Sequence, residues 1–345
     1  MTLTPLRTLL LALALPLAAA AQDAPPPAHA LGPDEAAWID DTVVITLRDL
    51  DTYLGTVYAR LPEGQKALQQ VLEEAIVRRE AQAAGVAAGE DEVSAALGLL
   101  DAQARAAGGG SLTAVLTADV DMAQLREVVR LHVLQEKLVR AAEGLPAAMP
   151  APNATLQAWM AARVAEAGLR EAPLDDPRAA VWTGGRIDKE AVGARLRAVL
   201  APDTLAGVLT EMIGVQVVRR HAAELELDLT PAEVTREVLQ RDAALKTRAG
   251  DLVVNYSQFL DQIEHRTLQE TIQSDKFSTE VLLRLVTEKL HGEDDARVFW
   301  EQHRAAFDRL DAGSTWERAR LAVWKEVRQR TYKDLLAKSR IVRRY

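Results

Sequence analysis

From Gln65 onward the apolar residues Leu68, Val71, Leu72, Ala75 and Ile76 fall three, one, three and one positions apart. That period places them on one stripe, so the segment is predicted to be an amphipathic helix. Gly85 followed by Val86 supplies its stop, a left-handed cap with a hydrophobic contact behind it. Upstream, Thr42-Val43-Val44-Ile45 is the best strand candidate of the N-terminal half, and Thr46 with Asp49 forms a capping box that opens a helix. Further on, Val181-Trp182 and Arg186-Ile187 bracket Gly184-Gly185, a hairpin whose glycines are expected to supply positive φ. Thr230-Pro231-Ala232-Glu233 combines cap, first-turn proline and N3 carboxylate in register. A long helix is expected over 315–338, with Ser314 and Glu317 as its capping box. Leu321, Trp324, Arg328, Thr331 and Leu335 define one of its faces. Ile341-Val342 then reads as a last short strand.

The second half repeats the first. Arg78-Arg79-x-Ala81 with Glu92-Val93 recurs, ungapped, as Arg219-Arg220-x-Ala222 with Glu233-Val234. Trp159 and Arg163 return as Trp300 and Arg304 at the same offset of 141. Ile45 through Leu54 align with Ile187 through Leu196 at 142, and Glu136-Lys137-Leu138 with Glu288-Lys289-Leu290 at 152. Matching order over a whole unit is the signature of a duplication. Gly108-Gly109-Gly110 reads as a linker rather than a phosphate loop, because no strand precedes it.

Composition narrows the class. The 345 residues contain no cysteine, which excludes disulfides, thiolate metal sites and cysteine nucleophiles. Hydrophobic residues make 48 % but aromatics only 4 %, a balance that favours packed helices over a sandwich or barrel. A net charge of -9 disfavours nucleic-acid binding. That charge is unevenly spread: 316–345 carries ten basic and three acidic residues, whereas 34–51 carries six acids and one Arg. The asymmetry fits a C-terminal strand pairing with an N-terminal one. At the start, Arg7, the apolar run 9–17 and Ala19-Ala20-Ala21 form an export signal cleaved before Gln22. The run is too short to span a bilayer. The expected organisation is a signal peptide at 1–21, a flexible Ala/Pro leader at 22–35, a first helical unit at 36–172 and a second at 178–345.

Candidate chemistry is sparse. His221 with Glu224 reads as a surface helix contact, and His132 as a packing residue beside Val128, Leu131, Leu134 and Leu138. No nucleophile elbow, P-loop or dinucleotide fingerprint occurs. Eleven of the fifteen aromatic residues lie from Trp182 onward, most of them expected in cores and a minority along a groove.

The order of signal, strand and turn, Ile45-Thr46 with Asp49-Leu50, the 71–84 helix, Gly85-Val86 and Asp91-Glu92-Val93 resembles the N-terminal chaperone domain of the SurA family. That domain is related to PrsA-type foldases and trigger factor. The second unit is similar through Ile187, Arg219-Arg220, 230–234, Phe259-Leu260 and 277–285. Residues 315–345 resemble the family's C-terminal segment, which folds back onto the N-terminal domain. The resemblance implies a mainly α fold: two SurA-like helical units with short β-hairpin or strand elements, closed by a long C-terminal helix and strand. It does not carry the family's parvulin isomerase, since Arg186-Ile187-Asp188 departs from that motif and no room remains for an insert. The expectation is therefore an ATP-independent periplasmic holdase that binds unfolded or extended envelope and outer-membrane polypeptides in an apolar groove. Trp182, Phe259, Phe299, Trp300 and Trp324 are its candidate client-binding residues. No catalytic residue, cofactor, metal, nucleic acid or stable membrane insertion after signal cleavage is implied, and a homodimer is compatible. The alternatives are an envelope scaffold or secretion accessory that binds one folded partner, and a divergent prolyl isomerase.

Overall fold

The computed structural model describes residues 31–40, 42–106, 111, 122–146, 149–249, 255–264, 266–310 and 315–345. The expected signal, most of the leader, the triple-glycine linker and Ser314 lie outside the described residues. The fold is mainly helical, with a few short antiparallel strands and a C-terminal helix followed by a strand.

The first hairpin joins β1 (Glu35–Ile39) to β2 (Val43–Thr46), so among the described residues regular structure begins at the residue expected to end the leader. Ala36, Ala37 and Ile39 are buried, and a bulge between Glu35 and Ala37 offsets the alternation. That bulge is why β1 does not read as a strand from sequence. Asp40 turns the chain at φ 48°, where Asp tolerates the left-handed region. Its carboxylate accepts bonds from Arg220 and from the Arg340 amide. Burial raises the Asp40 pKa, but these bonds outweigh it and hold the carboxyl below its ordinary value.

Thr46 caps α1 (Leu47–Val57) through the expected box: its hydroxyl accepts from the Asp49 amide at 3.1 Å, and its own amide donates to Asp49 Oδ2 at 2.9 Å. Helices α2 (Pro62–Ala84), α3 (Glu90–Ala106), α4 (Met122–Glu143) and α5 (Asn153–Ala167) follow. Gly85 ends α2 at φ 64°, and the Val86 amide bonds back to Ala81 O at 2.9 Å. Strand β3 (Arg170–Glu171) leads to the second hairpin, β4 (Arg178–Trp182) and β5 (Gly185–Asp188). Gly185 has φ 148°, but Gly184 is not in the left-handed region. Its lack of a side chain serves space instead, because a Cβ there would overlap the Trp182 ring.

The same succession then returns as α6 (Lys189–Arg197), α7 (Pro202–Glu224) and α8 (Pro231–Ala249). A single turn, α9 (Tyr256–Phe259), continues into the π-helical turn Leu260–Glu264, and α10 (Leu268–Ile272) precedes α11 (Asp275–Leu290). After α12 (Glu293–Gln302) and α13 (Arg304–Leu310), the chain closes with α14 (Trp316–Lys338) and β6 (Ile341–Arg343). The N-cap of α14 is Thr315, without a side-chain cap bond; Ser314 of the expected capping box lies outside the described residues. Its buried stripe is Trp316, Ala319, Val323, Val327, Thr331 and Leu335. Leu321 and Arg328 therefore sit off that stripe, and Trp324 lies at its edge, partly buried against the α12–α14 cluster.

The strands cross over between the halves. β6, which ends the second half, pairs with β1 through Ala37↔Arg343, Trp38↔Val342 and Ile39↔Ile341. β3, which ends the first half, pairs with β4 of the second. The two sheets have orders β2-β1-β6 and β5-β4-β3, each a hairpin completed by the other half's last strand. The C-terminal strand thus meets the N-terminal one, as the charge asymmetry suggests, and Arg344 fastens it by donating to the carbonyls of Glu35, Gly32 and Pro33 at 2.7–2.9 Å.

The interlacing extends to the core. Helices α1 and α6 cross so closely that a Cβ at Gly55 would overlap the Lys189 carbonyl oxygen, and one at Gly193 that of Asp51. Leu50, Leu54, Val192 and Leu196 are buried at that crossing. Arg197 grips Asp51 with bonds of 2.7 and 3.1 Å. A single hydrophobic core then takes Ile39, Leu72 and Ile76 from the first half with Ile187, Leu209 and Ile213 from the second. A separate cluster of Ala296, Trp300, Phe307, Trp316, Ala319, Val323 and Val327 lies where α12, α13 and α14 meet.

Candidate functional site

The helix starts at Thr230 and Ser274 set two ionic faces against each other. The Thr230 hydroxyl accepts from the Glu233 amide at 3.3 Å, and the Ser274 hydroxyl accepts from the Phe277 amide at 3.2 Å. Helical spacing then places Glu233, Glu237 and Arg241 along α8, opposite Glu280, Arg284 and Glu288 along α11. Arg284 is only 1 % exposed. Its guanidinium donates to Glu237 at 3.1 Å, to Glu288 at 3.3 Å and to Glu233. Burial pulls the Arg284 pKa down, but Glu233 and Glu288 prevail and hold it above the ordinary arginine value. The hydrogen bond from Arg284 likewise holds the Glu233 carboxyl below its usual range. Arg241 donates to Glu237 at 3.1 Å, to the Tyr256 hydroxyl at 2.9 Å and to Glu280, and lies 4.6 Å over the Phe277 ring. Arg236 completes the seam, 3.6 Å from both Glu233 and Glu288.

Above this seam lies a groove of about 560 Å³. Arg236 and Gln240 of α8 and Glu288 of α11 form its floor, and His291, Gly292 and Glu293 form one end. Its long wall is α14, through Glu317, Arg320, Leu321, Trp324 and Arg328. Leu321 is 65 % exposed and Trp324 half-buried, so an apolar strip stands open within a charged frame.

A smaller cavity of about 300 Å³ opens between α1, α2 and α6. It holds Lys189, whose Nζ donates to the Leu174 carbonyl and whose pKa burial lowers. Among the described residues no group of three His, Asp or Glu side chains is placed to hold a metal ion.

Of the five candidate aromatic residues, only Trp324 lines the groove. Trp182 is 9 % exposed, in the central core, with Arg79 5.4 Å over its ring. Trp300 is buried beside Trp316, at 6.0 Å between ring centroids, and its indole N–H has no hydrogen-bond partner among the described residues. Phe299 stacks on His303 at 4.2 Å at the rim of the same cluster. Phe259 is half-buried at the end of α9, outside the groove lining. The structure brings Phe299, Trp300 and Trp324 together in one cluster, with Trp300 buried inside it, but places Trp182 and Phe259 elsewhere, so the five do not share one surface. No family model matches the chain, and no curated protein or solved structure is significantly similar to it.

The histidines divide. His221 Nδ1 lies 2.9 Å from Glu224 on one helix, as its spacing implies. His132 is exposed, not packed, because the buried positions of α4 are its neighbours Leu131 and Val133. The reading of α8, α11 and α14 from sequence missed Arg236, Arg284 and Arg320 as site residues. Arg and Glu at helical spacing usually mark a solvated face, and only the arrival of α14 buries this one.

Proposed function

We propose that the chain is an ATP-independent holdase of the bacterial envelope that binds unfolded or extended polypeptides. The observation that carries this reading is the open groove on α14, where Leu321 and Trp324 expose apolar surface within a frame of paired charges. Such a surface suits an extended apolar segment, which buries side chains against Trp324 while its backbone stays near the polar rim. Further apolar side chains stand in solvent on the outer helices, including Leu99 at 67 % and Leu239 at 63 % exposure. Several shallow contacts of this kind give weak, multivalent binding, so a client leaves without nucleotide. The SurA-like order of elements and the export signal in the sequence support the same reading, and the acidic net charge keeps the carrier itself soluble.

The test is aggregation of a denatured outer-membrane protein diluted into buffer and followed by light scattering. Equimolar chain is expected to suppress the scattering, and Leu321→Ser/Trp324→Ser to weaken suppression without loss of helical circular dichroism. Unchanged scattering in the presence of folded wild-type chain refutes the proposal.

A further inference from the structure

We propose that the groove on α14 takes the C-terminal end of an apolar polypeptide, with Arg328 receiving its terminal carboxylate. This rests on the holdase reading and names what that groove recognises.

The case begins with charge. Four carboxylates of the α8–α11 seam are already held by other cations: Glu233, Glu237 and Glu288 by Arg284, Glu237 and Glu280 by Arg241, and Glu233 and Glu288 again by Arg236. Glu293, at the groove end, is paired with Arg320 at 2.8 Å. Arg328 lines the same groove and forms no hydrogen bond or ion pair among the described residues. Among the described residues it is the groove's arginine without a direct pairing partner, although Glu237 and Glu288 lie near enough to act on it electrostatically. Burial and the neighbouring Arg284 and Arg241 lower its pKa against the pull of Glu237 and Glu288, so a new anion there meets an undersatisfied guanidinium. A guanidinium presents a planar fork that matches a carboxylate with two parallel hydrogen bonds.

Direction comes from the helix. Glu317, Leu321, Trp324 and Arg328 are spaced four, three and four residues apart and share the groove wall. At 1.5 Å per residue, Glu317 and Arg328 are separated by about 16 Å along the axis, the length of roughly five extended residues. Glu317 also lacks a hydrogen bond or ion pair among the described residues, so the wall is negative at one end, apolar in the middle and positive at the other. A chain end laid along it puts its carboxylate on Arg328 and its last side chains on Trp324 and Leu321. Its preceding residues then run toward Glu317.

The test uses the full chain and fluorescein-labelled decapeptides rich in Phe, Leu and Val, read by anisotropy. One ends in a free carboxylate, one is amidated, and one is amidated but carries a Glu at an inner position. The free acid is expected to bind about tenfold more tightly than the amide, the worth of a charge-assisted hydrogen-bonded pair. Arg328→Gln should abolish that preference and Arg328→Lys should keep part of it, while Trp324→Ala weakens both peptides alike. Equal binding of free acid and amide by the wild-type chain overturns the inference, and this arm does not depend on any variant folding. Retention of the preference by folded Arg328→Gln overturns the role of Arg328. Equal affinity for the inner-Glu amide and the free acid overturns the assignment to a chain end. Aggregation suppression run in parallel separates the two readings. Suppression without carboxylate preference removes only this inference, whereas preference without suppression removes only the holdase.

Discussion

Gly193→Ala sets helix propensity against packing, and the two predict opposite signs. Gly193 lies inside α6, where alanine is favoured over glycine by about 1 kcal/mol. Its added Cβ would overlap the Asp51 carbonyl oxygen of α1. The obstacle is helical backbone, not the far end of a flexible side chain. Leu50, Leu54, Val192 and Leu196, all fully buried, lock both helices in place around the crossing. Overpacking of this kind costs about 1–3 kcal/mol, with a rigid obstacle placing it at the upper end. The net expectation is a loss of about 2 kcal/mol. With a urea slope of roughly 3 kcal/mol per M, the midpoint falls by about 0.7 M. Gly207→Ala is the internal control: it lies inside α7, and nothing stands within 4 Å of its added Cβ. It should raise the midpoint by up to about 0.3 M, since only propensity operates. Both variants are read by far-ultraviolet circular dichroism in urea. Gly55→Ala, on the facing helix, should resemble Gly193→Ala, and the double variant should cost less than the sum because one displacement of the helices relieves both overlaps. A Gly193→Ala midpoint that moves upward with Gly207→Ala would refute the close crossing.

Three further outcomes follow from the ionic seam and the strand exchange. Arg284→Ala should destabilise by about 3–5 kcal/mol in the same urea assay, because it removes the buried cation shared by Glu233, Glu237 and Glu288 and leaves Glu237 buried with Arg241 alone. Glu233 is held below the ordinary glutamate value of 4.5, so its contribution is present above that value and is lost as pH falls through its lowered native pKa. Melting temperature should accordingly drop more steeply between pH 5 and pH 3 in the wild-type chain than in Glu233→Gln, and parallel profiles would show that this carboxylate does not contribute. Truncation after Arg340 removes β6 and the three Arg344 bonds, and bares the β1 edge. The expected result is a loss of about 3–5 kcal/mol with concentration-dependent light scattering.

Local signals were legible where the chemistry is short-ranged. The Thr46 and Thr230 caps, the Gly85 stop and the helices after them follow from neighbours within four residues and appear in the structure, as does the second hairpin, although its turn is Thr183-Gly184, one residue earlier than the Gly184-Gly185 turn read from sequence. Signals that depend on distant chain were read less well. Trp182 and Trp300 are large and apolar wherever they fall, and only packing decides that both are buried. On α14 the 321, 324 and 328 stripe and the 319, 323 and 327 stripe are both helical in period, and sequence alone does not say which one faces a partner. Arg284 illustrates the same limit in charge. Its spacing to Glu288 is that of an exposed helix pair, yet helices α8 and α14 close over it from outside its own segment.

One difference between the halves bears directly on the groove. In the first half, α5 leads directly into β3; in the second, α13 and α14 intervene before β6. The equivalent seam between α3 and α4 is also ionic: Glu90 meets Arg126 at 2.8 Å and also pairs with Arg130, and Glu92 meets Lys137 at 2.9 Å. There the carboxylates stay in solvent, where such pairs contribute little. In the second half α14 lies over the corresponding seam, excludes water from Arg284 and brings Arg328 with it. The seam's four carboxylates are shared among three arginines, and Arg328 on the third helix faces Glu237 and Glu288 electrostatically without pairing directly with either. The same helix carries β6 back to β1, so the element that ties the halves together also forms the groove.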